Sequence, residues 1–187
     1  TMETHHFIKT GELLSLSEQQ FVDCLHDDCD QGCHGGCKIY ALNYAKLNPV
    51  MLESDYLYRG YEEACQYNPA LGKVAVVDVF QGPANSESGM MAAIVQGPIS
   101  VNCNADNTIF RQYVGGVLNN KDCPTSLTHA LNAVGYGTTD DGQKYWIIRN
   151  SFGVFWGEDG YIRMERTGDG DPGICGIQEV NLYASTN

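Results

Sequence analysis

The sequence predicts an α+β fold in which a helical lobe precedes a β-rich lobe. Up to about Tyr67 the apolar residues recur with helical spacing, whereas from Lys73 onward short β-branched or aromatic segments alternate with Gly, Asn and Asp. With 187 residues, 43% of them hydrophobic, the chain can bury a sizeable core. We expect a helical lobe over residues 1–78 and a β-rich lobe over residues 79–187.

Three helices are predicted in the first lobe. Gly11 is expected to end the first helix. Ser17 is expected to begin the second helix and to form a capping box with Gln20. The third helix is expected to cover residues 38–47. The apolar face of the second helix is then Phe21, Val22 and Cys24.

The second lobe contains short strands and one helix, which is expected over residues 88–96. Asp141-Gly142 between two of the strands is a hairpin signal. The predicted strands are residues 73–80, 98–103, 129–137, 144–150 and 160–164.

Net charge argues against two classes of partner. Twenty-three acidic residues against eleven Lys and Arg give a formal charge of −12, which repels phosphate backbones and anionic lipids. No apolar run approaches the roughly 18 residues of a spanning helix, and residues 1–10 do not resemble a signal peptide. We expect no nucleic-acid partner and no membrane insertion.

Eight cysteines favour an oxidising compartment, either extracellular or a lysosome-like vacuole. Cys29, Cys33 and Cys37 could instead be read as metal ligands. Three residues separate each pair, unlike the short knuckles of common zinc sites, and no second cluster follows. We expect neither a metal nor a cofactor.

Seven strings occur in order along nearly the whole chain: KTGELLSLSEQQFVDC, QGCHGGC, CQYNP, QGPISVNCNA, THALNAVGYG, KYWIIRNSFGVFWGEDGYIRM and GICGI. Together they resemble the papain family of cysteine peptidases, most closely its cathepsin L branch. The resemblance implies a papain-like fold with a helical lobe, a β-barrel-like lobe and an active-site cleft between them. It also implies endopeptidase activity through a Cys-His-Asn site.

Such a site needs a thiolate, an imidazole that lowers the pKa of the thiol, and a group that orients the imidazole. His129 and Asn150 match the imidazole and the orienting amide of the family. Without the flanking motif, His129 would be interpreted as a core histidine whose ring nitrogens are hydrogen-bonded. The other four histidines match no catalytic position: His5, His6, His26 and His34.

No cysteine of the chain matches the nucleophile of the family. The resemblance places that thiol before Thr1, about 137 residues before His129, which is inside the range of roughly 130–150 typical of papain-like chains. The glutamine that completes the oxyanion hole of the family lies in the same missing segment.

Substrate contacts are implied on both lobes. Gly35 and Gly36 match the turn whose backbone pairs with an extended substrate. Lys38 and Asn102 are more polar than the pocket walls usual in the cathepsin L branch. The residues carried over as substrate-binding are Gly35, Gly36, Cys37, Lys38, Asn102, Leu127, Thr128, Trp156 and Val180.

Two aromatic positions of the family can be compared with this chain. Phe152 stands where the family usually has a Trp that shields the His–Asn hydrogen bond, so an apolar screen is kept but the indole N–H is lost. Trp156 matches the second tryptophan of the cleft.

The resemblance also implies disulfides. It pairs Cys24 with Cys65 and Cys123 with Cys175, and it leaves Cys33 unpaired, because the usual partner lies shortly before the nucleophile. A bond from Cys29 to either Cys33 or Cys37 stays open, since connectivity cannot be derived from sequence. Cys103 is equally compatible with a buried free thiol.

Two functions are compatible with the sequence. In the first, the residues belong to a cathepsin L-like endopeptidase, present here without the segment that carries its nucleophile, so that they are inactive alone. That N-terminal segment or a propeptide is then an expected partner. In the second, they form a catalytically dead homologue that binds peptides or proteins. A polypeptide is the expected substrate or partner in both.

Overall fold

The computed structural model describes residues 1–27, 29 and 31–187. The chain divides into two compact units. Unit 1 comprises Thr1–Phe80 with Ala184–Asn187, and unit 2 comprises Gln81–Tyr183. The lobe boundary after residue 78 stays a prediction. In the described part of the chain, no helix is long and apolar enough to cross a bilayer.

Unit 1 contains the three predicted helices: α1 (Met2–Thr10), α2 (Gln19–Cys24) and α3 (Lys38–Leu47). Gly11 ends α1 with a φ of 79° and donates its N–H to the carbonyl of Phe7, as a helix-terminating glycine is expected to do. Short 3-10 turns cover Gly32–His34 and Pro69–Leu71.

The predicted capping box on α2 forms only in part. Ser17 Oγ accepts from the backbone N–H of Gln20 at 3.1 Å, as expected. Gln20 Oε1 does not reach back to Ser17, however, but accepts from the backbone of Met51 at 2.8 Å. A glutamine that joins two segments of the unit thus replaces the reciprocal cap.

The buried face of α2 is polar, so the predicted apolar face is wrong. Phe21, Val22 and Cys24 are half-buried, whereas the buried residues are Gln19, Gln20 and Asp23. The Asp23 carboxylate accepts from Gln19 Nε2 at 2.7 Å, from the Tyr56 hydroxyl at 2.7 Å and from the backbone N–H of Glu63 at 2.8 Å. These bonds tie α2 to residues 56–63 and compensate the burial of a charge.

The C-terminal residues return to unit 1. Lys9 of α1 donates to the carbonyl of Thr186 at 2.9 Å, and a ring nitrogen of His6 lies 3.0 Å from the carbonyl of Asn187. Strand β1 (Val76–Gln81) runs beside these residues, and Asp78 donates its backbone N–H to Ser185 Oγ at 3.2 Å.

Strands dominate unit 2 together with two helices, α4 and α5. The order of neighbouring strands in the sheet is β1-β7-β2-β4-β5-β6-β3. In the described residues, β1 and β3 are therefore the two edge strands and do not pair with each other. The second lobe was predicted to be barrel-like, but its sheet is open. The element bounds are α4 (Glu87–Ile94), β2 (Ile99–Cys103), α5 (Thr108–Arg111), β3 (Val117–Leu118), β4 (His129–Thr138), β5 (Lys144–Arg149), β6 (Tyr161–Glu165) and β7 (Asn181–Thr186).

The core of unit 2 surrounds Trp146, whose side chain is fully buried. Its indole N–H donates to Gln178 Oε1 at 3.1 Å, so the ring is buried without an unpaired donor. Alternate residues of β2, β5 and β6 pack with it: Ile99, Val101, Ile148, Ile162 and Met164. A period of two is the one that a strand with one buried face has.

Six cysteines form three disulfide bonds: Cys24–Cys65, Cys29–Cys37 and Cys123–Cys175. The first and third are the pairs that the family resemblance implies, and the second decides between the alternatives left open for Cys29. Cys33 is free and exposed, whereas Cys103 is free and buried.

We expect Asp23→Ala to destabilise the protein by about 2–3 kcal/mol, because it leaves buried donors without their acceptor. Asp55→Ala is the matched control, since Asp55 is exposed, and we expect it to change stability by less than about 0.5 kcal/mol. Urea denaturation of both variants measures the difference. Equal stabilities would show that the bonds to Asp23 contribute little.

Candidate active site

Pairing of β4 with β5 brings the two predicted catalytic residues to one end of the sheet. The strands are antiparallel, with Asn132 opposite Arg149. His129 is the first residue of β4, and Asn150 directly follows β5. The backbone N–H of Asn150 donates to the carbonyl of Gly160 at 3.0 Å, so the residue is held after the strand has ended.

A hydrogen bond joins these side chains. His129 Nε2 lies 2.9 Å from Asn150 Oδ1. The same oxygen accepts from the backbone N–H of Ser151 at 2.8 Å. An amide rotated by 180° would place its NH₂ against that N–H donor, so the observed orientation is the favourable one. Nε2 therefore carries a proton, and Nδ1 is the nitrogen left for chemistry.

Aromatic rings lie beside the His129–Asn150 hydrogen bond. The ring of Phe152 lies 5.1 Å from that of His129, and the Phe152 ring is in turn 5.5 Å from Trp156. Phe152 is 45% exposed, and its role as an apolar screen stays a prediction. Apolar shielding strengthens a neighbouring hydrogen bond because it lowers the local dielectric.

Phe110 is a site residue that sequence reasoning missed. It is fully buried, and its ring centroid lies 5.1 Å from Trp156, 6.2 Å from Phe152 and 6.4 Å from His129. The signal was local: Asn107 caps α5 by accepting from the backbone of Phe110 at 2.9 Å. The capping residue Asn107 predicts the short helix α5. It does not predict that Phe110 of this helix packs against Trp156.

The loop between β5 and β6 is held by Trp156 and Glu158. Trp156 Nε1 donates to the carbonyl of Arg111 at 3.0 Å. Glu158 accepts from Arg163 through both carboxylate oxygens, at 2.7 and 2.9 Å, and from the backbone of Gly116 at 2.9 Å. The hydrogen bond from Arg163 holds the pKa of Glu158 below its ordinary value.

The other substrate-binding residues predicted in unit 2 lie near His129 or on neighbouring loops. Asn102 Nδ2 is 3.4 Å from the carbonyl of His129, and Thr128 Oγ1 accepts from the backbone of Ala105 at 3.0 Å. Leu127 and Val180 are half-buried. Their role in binding stays a prediction.

Residues 35–38, the predicted substrate-binding segment, lie in unit 1. Gly35 has a φ of 118°, which a residue with a Cβ rarely adopts. Cys37 is bonded to Cys29, so the segment is covalently tied to the residues before it. Burial lowers the pKa of Lys38 to about 7. The role of this segment in substrate binding stays a prediction.

Within the described ranges, no three or more His, Cys, Asp or Glu side chains are grouped so that they could hold a metal ion.

The papain family cysteine protease model matches residues 1–185. The chain belongs to this family. A thiol protease named SEN102 from Hemerocallis sp. is 44% identical over 177 residues, which cover 94% of this chain and 49% of that protein. The chain therefore spans about half the length of this curated relative.

Solved structures agree with the family assignment. The bromelain protease from Ananas comosus, in complex with the E64 inhibitor, has a TM-score of 0.92 and 40% identity, with 99% of this chain and 84% of that chain covered. The proform of the ragweed pollen allergen Amb a 11 has a TM-score of 0.90 and 31% identity, with 99% and 50% covered. The papain-like fold is thereby confirmed, and the disulfides of this papain-family chain indicate an oxidising compartment, vacuolar or secreted.

The Glu158–Arg163 pair stabilises the loop between β5 and β6. We therefore expect Glu158→Gln to lower the free energy of unfolding by about 1 kcal/mol at pH 7. Because the folded-state pKa of Glu158 is depressed, this stabilisation is present above its unfolded-state value of about 4.3 and is lost as pH falls through the folded-state value. Thermal unfolding of variant and wild type should therefore converge on acidification.

Asp106→Asn is the control for Glu158→Gln. Asp106 pairs with Arg111 at a similar distance, 2.7 Å, but both side chains are 62% exposed, so the loss should be below about 0.5 kcal/mol. Equal losses in the two variants would contradict the assignment of a supporting role to Glu158.

Proposed function

We propose that residues 1–187 form the histidine- and asparagine-bearing part of a cysteine endopeptidase that cleaves polypeptides. The observation that supports this most directly is the bond from His129 Nε2 to Asn150 Oδ1 at 2.9 Å, beneath the ring of Phe152. It orients the imidazole and leaves Nδ1 for a thiol, which is the arrangement that thiol proteolysis requires.

The proposed reaction proceeds through an acyl-enzyme. A cysteine thiolate attacks the scissile carbonyl carbon, and the carbon–nitrogen bond breaks as protonated His129 gives its Nδ1 proton to the departing amine. Water then attacks the thioester carbon, His129 takes up its proton, and the carbon–sulfur bond breaks to release the acid and regenerate the thiolate beside protonated His129. Asn150 keeps the ring oriented in both steps.

We further propose that the thiolate comes from outside Thr1–Asn187. Six of the eight cysteines are in disulfides. Burial raises the pKa of Cys103 to about 12, which keeps it a thiol at any pH the protein meets. Cys33, in unit 1, matches a disulfide cysteine of the family rather than its nucleophile.

Substrate-binding residues are proposed within each unit. In unit 1, Gly35 and Gly36 would pair with the substrate backbone. In unit 2, Asn102, Leu127, Thr128, Trp156 and Val180 would contact side chains. Because Lys38 and Asn102 are polar, we propose that the residue before the scissile one is not restricted to apolar types. A propeptide is a proposed partner, since a solved relative is a proform.

A catalytically inactive peptide-binding homologue is the second candidate. Phe152 and Lys38 favour it, since both depart from the family pattern that the sequence otherwise follows. Vacuolar, lysosomal or extracellular residence fits either candidate.

The purified 187-residue chain should not hydrolyse a fluorogenic dipeptide amide, because none of its cysteines is placed as the nucleophile. Fluorescence release is the measurement, and His129→Ala is the control. Turnover that His129→Ala abolishes would show that a cysteine of this chain does serve as the nucleophile, and Cys33 would then be tested first.

Supplying the thiol should create activity. A peptide that carries Gln and a Cys-Gly-Ser-Cys-Trp motif is bound to the chain, with association shown first by a disulfide trapped at Cys33. We expect hydrolysis that a thiol-directed epoxide blocks and that His129→Ala lowers by at least roughly 10³-fold. A trapped, folded complex whose thiol is unreactive between about pH 4 and pH 8 would favour the peptide-binding homologue.

A further inference from the structure

Asn104 is a buried polar residue to which the proposed reaction assigns no role. It directly follows β2 and is 5% exposed. Its Nδ2 donates to the carbonyl of Ser126 at 2.6 Å and to Ser126 Oγ at 2.9 Å. Its Oδ1 accepts from the backbone N–H of Asp106 at 3.2 Å and from Asn107 Nδ2 at 2.8 Å. Both donor and both acceptor positions of the amide are therefore used, which fixes its orientation.

The bonds from Asn104 hold a segment that packing does not hold. Residues 124–126 are exposed and lie outside any helix or strand. Ser126 is nevertheless fixed, because its carbonyl and its hydroxyl both accept from the same buried amide. A short loop with one of its residues bonded in this way loses most of its conformational freedom.

The other end of this segment is held by the residues on each side of Asn104. The backbone N–H of Thr128 donates to the carbonyl of Cys103 at 2.9 Å, and Thr128 Oγ1 accepts from the backbone of Ala105 at 3.0 Å. Residues 103–105 thus fix both ends of residues 126–128.

The position of residues 126–128 matters for the catalytic histidine. His129 lies opposite Cys103 and is the first residue of β4, so the strand continues on only one side of it. The backbone that enters His129 from the other side is set by residues 126–128 rather than by the sheet. Because a side chain projects from the backbone at a fixed angle, this segment also sets the direction of the imidazole.

Asn104 is joined as well to the helix beneath the aromatic rings. Asn107 Nδ2 donates to the backbone carbonyl of Asn104 at 3.0 Å, and Asn107 Oδ1 accepts from the backbone N–H of Phe110 at 2.9 Å. The ring of Phe110 lies 5.1 Å from Trp156 and 6.4 Å from His129. One amide thus connects the backbone before the histidine with the helix whose ring packs beside it.

We propose that Asn104 is a positioning residue for the peptidase reaction, and that its amide fixes residues 126–128 and thereby directs the His129 imidazole towards the thiol. This inference rests on the proposed function. Proton transfer requires the ring nitrogen within about 2.6–3.2 Å of its partner. A displacement of about 1 Å can lower a rate by roughly 10²-fold. Asn150 orients the ring through Nε2, whereas Asn104 fixes the backbone from which the ring projects.

The experiment replaces the amide with an uncharged side chain of similar size. Asn104→Leu removes the donors to Ser126 and the acceptor for Asn107. In the full-length protein in its active form, a thiol-directed epoxide titrates the active sites, and kcat is measured per active site on a fluorogenic dipeptide amide. We expect kcat to fall about tenfold. Asn104→Ala removes the same groups without filling the space, and we expect the same decrease from it.

The pH dependence of kcat/KM distinguishes positioning from stability. Attraction between a thiolate and an imidazolium widens the pH range over which both charged forms coexist. A displaced imidazole weakens this attraction, so we expect the bell-shaped profile of both Asn104 variants to narrow from the acidic and the alkaline side. Loss of folded protein would lower the whole profile without changing its width.

Asn181→Ala is the matched control. Asn181 is fully buried in unit 2, and its Nδ2 donates to the carbonyl of Pro83 at 3.2 Å. The variant therefore also loses a buried hydrogen bond, but none that holds residues 126–128. We expect a lower melting temperature with the wild-type kcat per active site and the wild-type width of the pH profile.

The outcomes also distinguish this inference from the proposed function. Asn104 variants that melt at a lower temperature but keep the wild-type kcat and profile width would make the residue purely structural and overturn the inference alone. Narrowing of the same size in Asn181→Ala would overturn it too, because any destabilisation of unit 2 would then move the imidazole. If the wild-type protein does not hydrolyse the substrate, the proposed function fails and the inference fails with it.

Discussion

Antiparallel pairing of β4 with β5 is the constraint on which the candidate site depends. The pairing brings the beginning of one strand beside the end of the next, so that His129 meets Asn150 across a single hydrogen bond of 2.9 Å. The ladder itself is held by the buried core around Trp146, whose indole is paired with Gln178. A one-residue slip would turn the inward residues of β5 to solvent, so the core and the catalytic pair share one register.

Aromatic packing then decides how the site is enclosed. Phe110 is buried and supports Trp156, and Phe152 spans the distance from Trp156 to His129. Pairs of this kind are each worth roughly 0.5–1.5 kcal/mol beyond the area they bury. The same packing holds the loop that follows β5.

Unit 1 depends on polar rather than apolar packing around α2. Asp23, Gln19 and Gln20 are buried and satisfied by bonds to segments 31 to 42 residues further along the chain. The adjacent Cys24–Cys65 bond closes the same region covalently. The capping signal at Ser17 predicted where α2 begins, and hydrophobicity assigned its inner face. That second rule fails where buried amides and a carboxylate find partners.

The sequence by itself determined the family and most of the helices and strands, and it predicted His129 and Asn150 as the catalytic pair, because motif order and local periodicity are properties of neighbouring residues. Only the tertiary structure decided the inner face of α2, the Cys29–Cys37 pairing and the support of the site by Phe110. Each of these depends on which distant segments meet. Spacing along a chain constrains such meetings weakly, since loop closure costs little more for a long loop than for a short one.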